Sequence, residues 1–159
     1  MPTIDNIGQR ILYETPSAAA LLFVGAAGYI ATGDRKVREQ LEQPKTQLKH
    51  WRKMFLWAVP NMSVLVVGGT VAAIAAYTQT KNNLWLYGAV TFGSIIPYTI
   101  FGMGKTNSYL SKSLKESGEA DLKEEDKATV AESLKKWVCL HKARVLLGLS
   151  AVAIFFVAK

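Results

Sequence analysis

The sequence is short of the residues that most enzymes use. It holds one cysteine, Cys139, and two histidines, His50 and His141, among 159 residues. A lone cysteine excludes an internal disulfide and reads as a small packing residue beside an apolar helix. The histidines fall in no HxH, HxxxH or ExxH pattern, and no two-histidine-plus-carboxylate set can be assembled. Metal catalysis is therefore poorly served. No GxxxxGK[ST] occurs, and the glycines of VGAAG and MGKT make no phosphate loop. Charge is scarce too, at 19% of residues against the roughly 25% usual in soluble domains. It is missing altogether from residues 54–77 and 82–104.

Those two gaps are the strongest signal present. At 1.5 Å per residue, each run is long enough to cross a hydrocarbon core about 30 Å thick. Two weaker segments join them. Thr15 to Gly33 carries no charge and has an alanine-rich centre, SAAALLFVGAAGYIAT. Asp5 and Glu14 beside the single Arg10 argue against reading it as a cleaved signal peptide. Val145 to Ala158 is uncharged over only 14 residues, roughly 21 Å of helix. It spans if the helix begins near Trp137 and basic side chains snorkel toward the headgroups. The expectation is an all-α integral membrane protein, an antiparallel four-helix bundle with spans near 16–32, 56–77, 84–104 and 137–158. Residues 1–15 are a lead-in and 16–158 one domain.

Basic residues set the orientation. Four spans place 16 of the 19 lysines and arginines on one side, leaving Arg10, Lys81 and Lys159 on the other. The positive-inside rule makes the crowded side cytosolic. The net charge of +7 is then loop lysine facing an anionic leaflet. With no zinc-finger spacing and no basic recognition helix, no nucleic acid is expected as partner. In the first loop, Pro44 separates two short helical pieces. In the third, one helix ends near Gly118 and another starts around Asp121, running on into the fourth span. Trp51, Phe55 and Trp57 gather at one membrane boundary, with Trp85 and Tyr87 at the other. Helix contacts are expected on thin faces: Ala18, Gly25, Gly28 and Ala31 in the first helix, Gly68, Ala72, Ala75 and Ala76 in the second, Gly88 and Gly93 in the third.

Few polar side chains lie inside the spans. Pro60 and Pro97 each leave a backbone carbonyl without its helical donor, which Asn61 and Thr99 either repair or leave to line a cavity. In WVCLHKARVLLG, Trp137, His141, Arg144 and Gly148 recur three and four apart and share one face. Burying Arg144 costs about 2.5–3.5 kcal/mol on the lenient insertion scale unless it finds a partner. No other span holds a carboxylate. The available partners are Asn107, carbonyls freed by Pro97, a loop acid or an anionic ligand. Two readings stay open. His141 and Arg144 anchor the helix at the headgroups, or they floor a shallow cavity with Trp137, Asn107, Tyr98 and Asn61. In the second, His141 takes a proton from an acidic carbon or phenol, and Arg144 holds the developing oxyanion.

At these residues the chain resembles the DUF1772 family of small four-span membrane proteins, which includes fungal anthrone oxygenases. IIPYTIFGMGKTNSYL is similar to the family's third-span signature at Pro97, Tyr98, Thr99, Met103, Thr106, Asn107 and Leu110. WVCLHKARVLLGLSA is similar to its tryptophan–histidine–arginine signature at Trp137, His141 and Arg144. WRKMFLWAVPN looks like the start of its second helix, although Gly104 stands where the family has proline. The resemblance implies oxidation of a hydrophobic aromatic, anthrone-like small molecule with dioxygen, without a conventional cofactor. His141 would be the base, Arg144 and Asn107 the oxyanion donors, and Trp137, Tyr98, Thr99 and Asn61 substrate contacts. The other reading is a non-catalytic accessory or structural subunit with membrane protein partners. The endoplasmic reticulum or another endomembrane is the expected location, ahead of the mitochondrial inner membrane, for which no transit peptide speaks.

Single cysteines introduced into the first and third loops of a Cys139→Ala background should react with an impermeant maleimide from the same side of sealed membranes. A cysteine beside Lys81 should react from the opposite side. Labelling of the two basic loops from different sides would exclude four spans.

Overall fold

The computed structural model describes residues 4–118 and 120–159, with side chains from residue 7 onward. Helix α1 (Ile4–Tyr29) passes through a π-helical turn, Ile30–Asp34, into the short α2 (Arg35–Glu39). The long α3 (Pro44–Thr80) is followed by α4 (Asn83–Gly93), α5 (Ile95–Pro97) and a second π-helical turn, Tyr98–Gly102. Helices α6 (Gly104–Ser117) and α7 (Glu124–Ala158) complete the chain. Four stretches are long and apolar enough to cross a membrane: Ile7–Glu39, Pro44–Thr80, Asn83–Gly102 and Glu124–Ala158. The chain is an all-α, multi-pass integral membrane protein.

Its helices form a square. α1 packs on α3 and α7, α4 packs on the same two, and α3 and α7 meet only slightly across the diagonal. Both basic connections lie at one end. There Lys45 Nζ donates to the carbonyls of Gly118, at 3.1 Å, and of Ala120. Arg52 Nη1 donates to Ser111 Oγ at 3.1 Å. The Asp121 carboxylate accepts the Leu122 N–H at 2.8 Å and faces Lys127, which together hold its pKa below the usual carboxylate value. At the opposite end Lys81 turns the chain in the left-handed region, at φ 56°. Asn82 caps α4 through the Leu84 N–H and donates its own amide to the Ala158 carbonyl at 3.1 Å. Lys159 pairs with Glu14 there.

The helices outrun the lipid. α1 begins at Ile4, so described residues 4–15 continue the first span as helix. α3 starts on Pro44, whose fixed φ suits a first helical position, and runs 37 residues without a break. The second half of the first loop is thus the foot of the second span. α7 likewise runs 35 residues from Glu124 through the membrane segment. The third span is instead interrupted. Pro97 lacks the N–H that the Gly93 carbonyl would accept, and a π-helical turn follows it.

The packing faces match those expected only in part: Ala31, Ala76 and Gly88 are buried, while Ala18, Gly25 and Gly68 are not. On α3 the buried stripe is Met62, Val66, Gly69, Ala73 and Ala76, spaced alternately four and three apart. Gly68 is exposed, while Ala72 and Ala75 lie at the edge of the stripe. On α1, Ala18 and Gly25 face outward, and Ala19, Ala20, Phe23 and Ala27 face in. Trp51 and Trp85 do not face outward as boundary aromatics would. Both are buried, Trp85 between Tyr13 and Phe155 and Trp51 against Phe55 and Trp137. Trp57 and Tyr87 are exposed. Cys139 is exposed as well, not packed.

Glycine on one helix makes room for an aromatic ring on the next. A Cβ on Gly88 would overlap the Phe155 ring, whereas one on Gly68 would meet nothing within 4 Å. Gly88→Val should therefore destabilise the bundle by about 1–3 kcal/mol, read as a lowered unfolding temperature in detergent. Gly68→Val should leave that temperature close to wild type. Equal effects would mean that the α4–α7 contact does not depend on the missing side chain.

Candidate functional site

Helix α7 carries Trp137, His141, Arg144 and Gly148 on its inward face, as their spacing requires. Gly148 lets α1 come close: a Cβ there would lie 2.8 Å from Val24 Cγ2 and 3.1 Å from Phe23 Cδ1. One to two turns further along, the same approach brings His141 Nε2 to 3.2 Å from the Ala27 carbonyl oxygen. On the other side of the ring, Arg144 Nη1 stands 3.4 Å from Nδ1. A carbonyl only accepts and a guanidinium only donates. Both neighbours therefore assign the neutral imidazole with its hydrogen on Nε2 and its lone pair on Nδ1.

Aromatic rings hold this pair in place. The Trp137 indole stacks on the His141 ring at 4.8 Å between centroids and 14° between planes. Trp51 meets Trp137 edge-on at 6.1 Å and stacks on Phe55 at 5.0 Å. Trp137 Nε1 donates to Asn107 Oδ1 at 2.9 Å, which fixes the indole plane. The Arg144 guanidinium lies 5.5 Å from the Phe23 ring centroid, a cation–π contact. Its Nε has no hydrogen-bond partner, and no carboxylate pairs with it among the described residues. It is a half-buried cation lacking an anion among the described residues.

Beside these groups lies a cavity of about 210 Å³. α3 supplies an apolar wall that includes Met54, Phe55, Ala58 and Met62, and Ile30 of the first π-helical turn closes one side. Ile96, Thr99 and Ile100, at the interruption of the third span, form the facing wall. Trp137, His141 and Arg144 bring the ring nitrogen and the guanidinium. Val59, Ser63 and Ile100 are exposed, so the cavity opens sideways between α3 and the third span, toward lipid. Its size falls below the ~300–1,000 Å³ of typical ligand pockets, but unbranched Met54 and Met62 can reshape their wall.

The residues picked from the sequence divide. Trp137, His141, Arg144 and Thr99 line this cavity. Thr99 also donates its hydroxyl to the Ile95 carbonyl at 2.7 Å. Asn61, Tyr98 and Asn107 are not part of the lining. Asn61 is exposed, and its amide donates to the Trp57 carbonyl of its own helix at 2.6 Å. Tyr98 Oη donates to the Leu140 carbonyl at 3.0 Å, a cross-link between the third span and α7 rather than a stacking surface. Asn107 holds Trp137, so it is a positioning residue and not a partner of Arg144. Two features had no counterpart in the sequence reading. One is the Ala27 carbonyl. The other is a buried group at the basic end, where Asp34 accepts from His50 at 2.7 Å and has Arg38 at 3.7 Å. An acid and an arginine four apart in DRKVR, on a piece expected to be helical, were the available sign.

Among the described residues no group of three or more His, Cys, Asp or Glu side chains is placed to hold a metal ion. A family profile described as anthrone oxygenase matches residues 51–154. The match takes in most of α3 through nearly all of α7 and leaves out α1 and the π-helical turn after it, which contribute Phe23, Ala27 and Ile30 to the site. No curated protein and no solved structure matches the chain.

Asn107→Leu should leave the Trp137 N–H buried without an acceptor, at a cost of about 1–3 kcal/mol. Trp137→Phe in the same background should recover much of that loss, because the orphaned donor is gone. Additive losses in this double-mutant cycle, measured by unfolding in detergent, would deny the bond.

Proposed function

Because the chain belongs to the anthrone oxygenase family, we propose that it is a membrane-embedded oxygenase acting on a hydrophobic, anthrone-like aromatic with dioxygen. One observation carries this reading: a lipid-facing apolar cavity in which an unpaired guanidinium and an imidazole lone pair are the main polar features. An anthrone is apolar enough to arrive through the bilayer. Its methylene between two aromatic rings becomes acidic once the carbonyl oxygen can take the charge.

In this mechanism the substrate carbonyl draws the Arg144 guanidinium off His141 Nδ1, and the lone pair so freed removes a methylene proton. Proton transfer alone would set an imidazolium against a guanidinium. The enolate oxygen formed at the same moment supplies the missing anion, so acid–base chemistry and charge stabilisation are coupled. The electron-rich carbanion then reduces dioxygen, and a carbon–oxygen bond forms to give a hydroperoxide. Loss of water from that carbon leaves the second quinone carbonyl. The balance is anthrone plus O₂ to anthraquinone plus H₂O, with no outside reductant. Trp137 forms the face against which the aromatic substrate lies, and the Ala27 carbonyl keeps the lone pair of His141 turned toward it. An endomembrane such as the endoplasmic reticulum is the proposed location, where lipid-soluble substrates partition.

The test is oxygen uptake and anthraquinone formation in proteoliposomes supplied with an anthrone. His141→Gln at equal folded amount should lower the rate about 10²–10⁴-fold, and Arg144→Gln about 10²–10³-fold. A full rate for His141→Gln from pH 6 to pH 8 would remove His141 as base. Failure of folded wild type to consume oxygen with anthrones would favour the accessory-subunit reading.

A further inference from the structure

A second concavity, of about 430 Å³, lies at the basic end of the bundle between α2 and α7. Leu134 and Val138 of α7 form its apolar base, and Arg38 enters from α2. Arg35 is on the same side, but its guanidinium is already engaged by Glu39 at 2.7 Å. Lys135 and Lys142 stand on the rim, both exposed and in no ion pair among the described residues. Being seven apart, they lie two turns from each other on one face of the helix.

Arg38 is the unusual member. It is only 2% exposed, yet its Nη1 has no hydrogen-bond partner. The nearest carboxylate oxygen, Asp34 Oδ2, is 3.7 Å away, beyond hydrogen-bond range, and the other oxygen of Asp34 is taken by His50. A buried guanidinium in that state is preorganised for an oxyanion that can accept from its fork. The depth is also informative. Lys142 lies three residues before the uncharged run of α7, and Lys135 lies about 10 Å farther out at the helical rise. That interval corresponds to the headgroup layer, about 5–8 Å deep per leaflet. Basic pockets between membrane helices on the cytosolic side suit phosphorylated headgroups.

We propose that this groove binds a phosphate-bearing anion at the membrane surface, with Arg38 as the deep ligand and Lys135 and Lys142 as the rim. The phosphate comes from an acidic phospholipid or from a soluble phosphate ester, and the two sources are separable because Cys139 lines the same groove. Cys139 is exposed and is the only cysteine of the chain, so its alkylation reports occupancy directly.

The full chain is placed in nanodiscs of phosphatidylcholine alone, or with added phosphatidylglycerol or phosphatidylinositol 4-phosphate, and the rate of reaction with an uncharged maleimide is followed. Acidic lipid at ten times its dissociation constant should slow Cys139 alkylation by on the order of tenfold. Lys135→Gln with Lys142→Gln, both surface changes, should lose most of that protection, and Arg38→Gln all of it. Lys53→Gln, outside the groove, should keep it, which separates a site from general surface charge. Protection by inorganic phosphate in phosphatidylcholine nanodiscs, without acidic lipid, would support the anion site and assign it a soluble ligand. Equal alkylation under all conditions, or protection that survives loss of both rim lysines, would overturn the proposal.

Discussion

Arg144 is a cation inside a lipid-embedded bundle with no carboxylate among the described residues to answer it, and the geometry around it follows from that constraint. A guanidinium in this position must be shared among weaker partners. It finds a ring nitrogen, the face of Phe23, and a cavity into which an anion can come. The ring nitrogen is available only because the other one is tied to a backbone carbonyl of α1. That in turn requires α1 to approach α7 closely, which Gly148 permits. Trp137 completes the arrangement by covering one face of the imidazole, and Asn107 and Trp51 hold Trp137. A chain of contacts from four helices thus keeps one lone pair and one positive charge side by side.

The cavity exists because two helices fail to stay regular. Both π-helical turns border it: the first delivers Ile30, the second Thr99 and Ile100. Such turns push a helix wall outward by one extra residue, and they recur at functional positions. Elsewhere the bundle packs tightly, through Gly69 beneath Phe92 and Gly88 beneath Phe155. The looseness is therefore local. It lies on the lipid-facing seam between α3 and the third span, where a hydrophobic molecule has an entrance and water has little reason to stay.

Much of this was legible in the residues, and the parts that were not share a cause. Lipid excludes charge, so uncharged runs marked the spans. Charge marks the edge of lipid and not the end of a helix, however, which is why α3 extends well past its expected boundary, while α7 runs from Glu124 into the fourth span as expected. The face shared by Trp137, His141 and Arg144 followed from spacing alone. What faces it did not. Whether a small residue is buried depends on its neighbour: Gly88 is covered because Phe155 lies opposite, while Ala18 and Gly25 look equally suitable and point outward. Asn61 and Tyr98 were reasonable guesses at a cavity wall, but each spends its polar group on a backbone carbonyl. Ala27 offers only its backbone, which no side-chain pattern announces. Asp34 and Arg38 lie four apart on a piece expected to be helical, but their burial depends on neighbours such as His50 that spacing does not reveal.

The unequal spans also have a consequence for the membrane itself. The uncharged run of α3 is 27 residues and that of α7 is 14, roughly 40 Å against 21 Å at the helical rise. These helices occupy opposite corners of the square, so the apolar belt around the bundle is deep at one corner and shallow at the other. A flat sheet of uniform thickness cannot match both, and each ångström of mismatch costs a fraction of a kcal/mol. The bilayer must pinch beside α7, or the bundle must lean. A pinched leaflet is a standing dimple, and a body that carries its own dimple sits most comfortably where the sheet is already thin or bent.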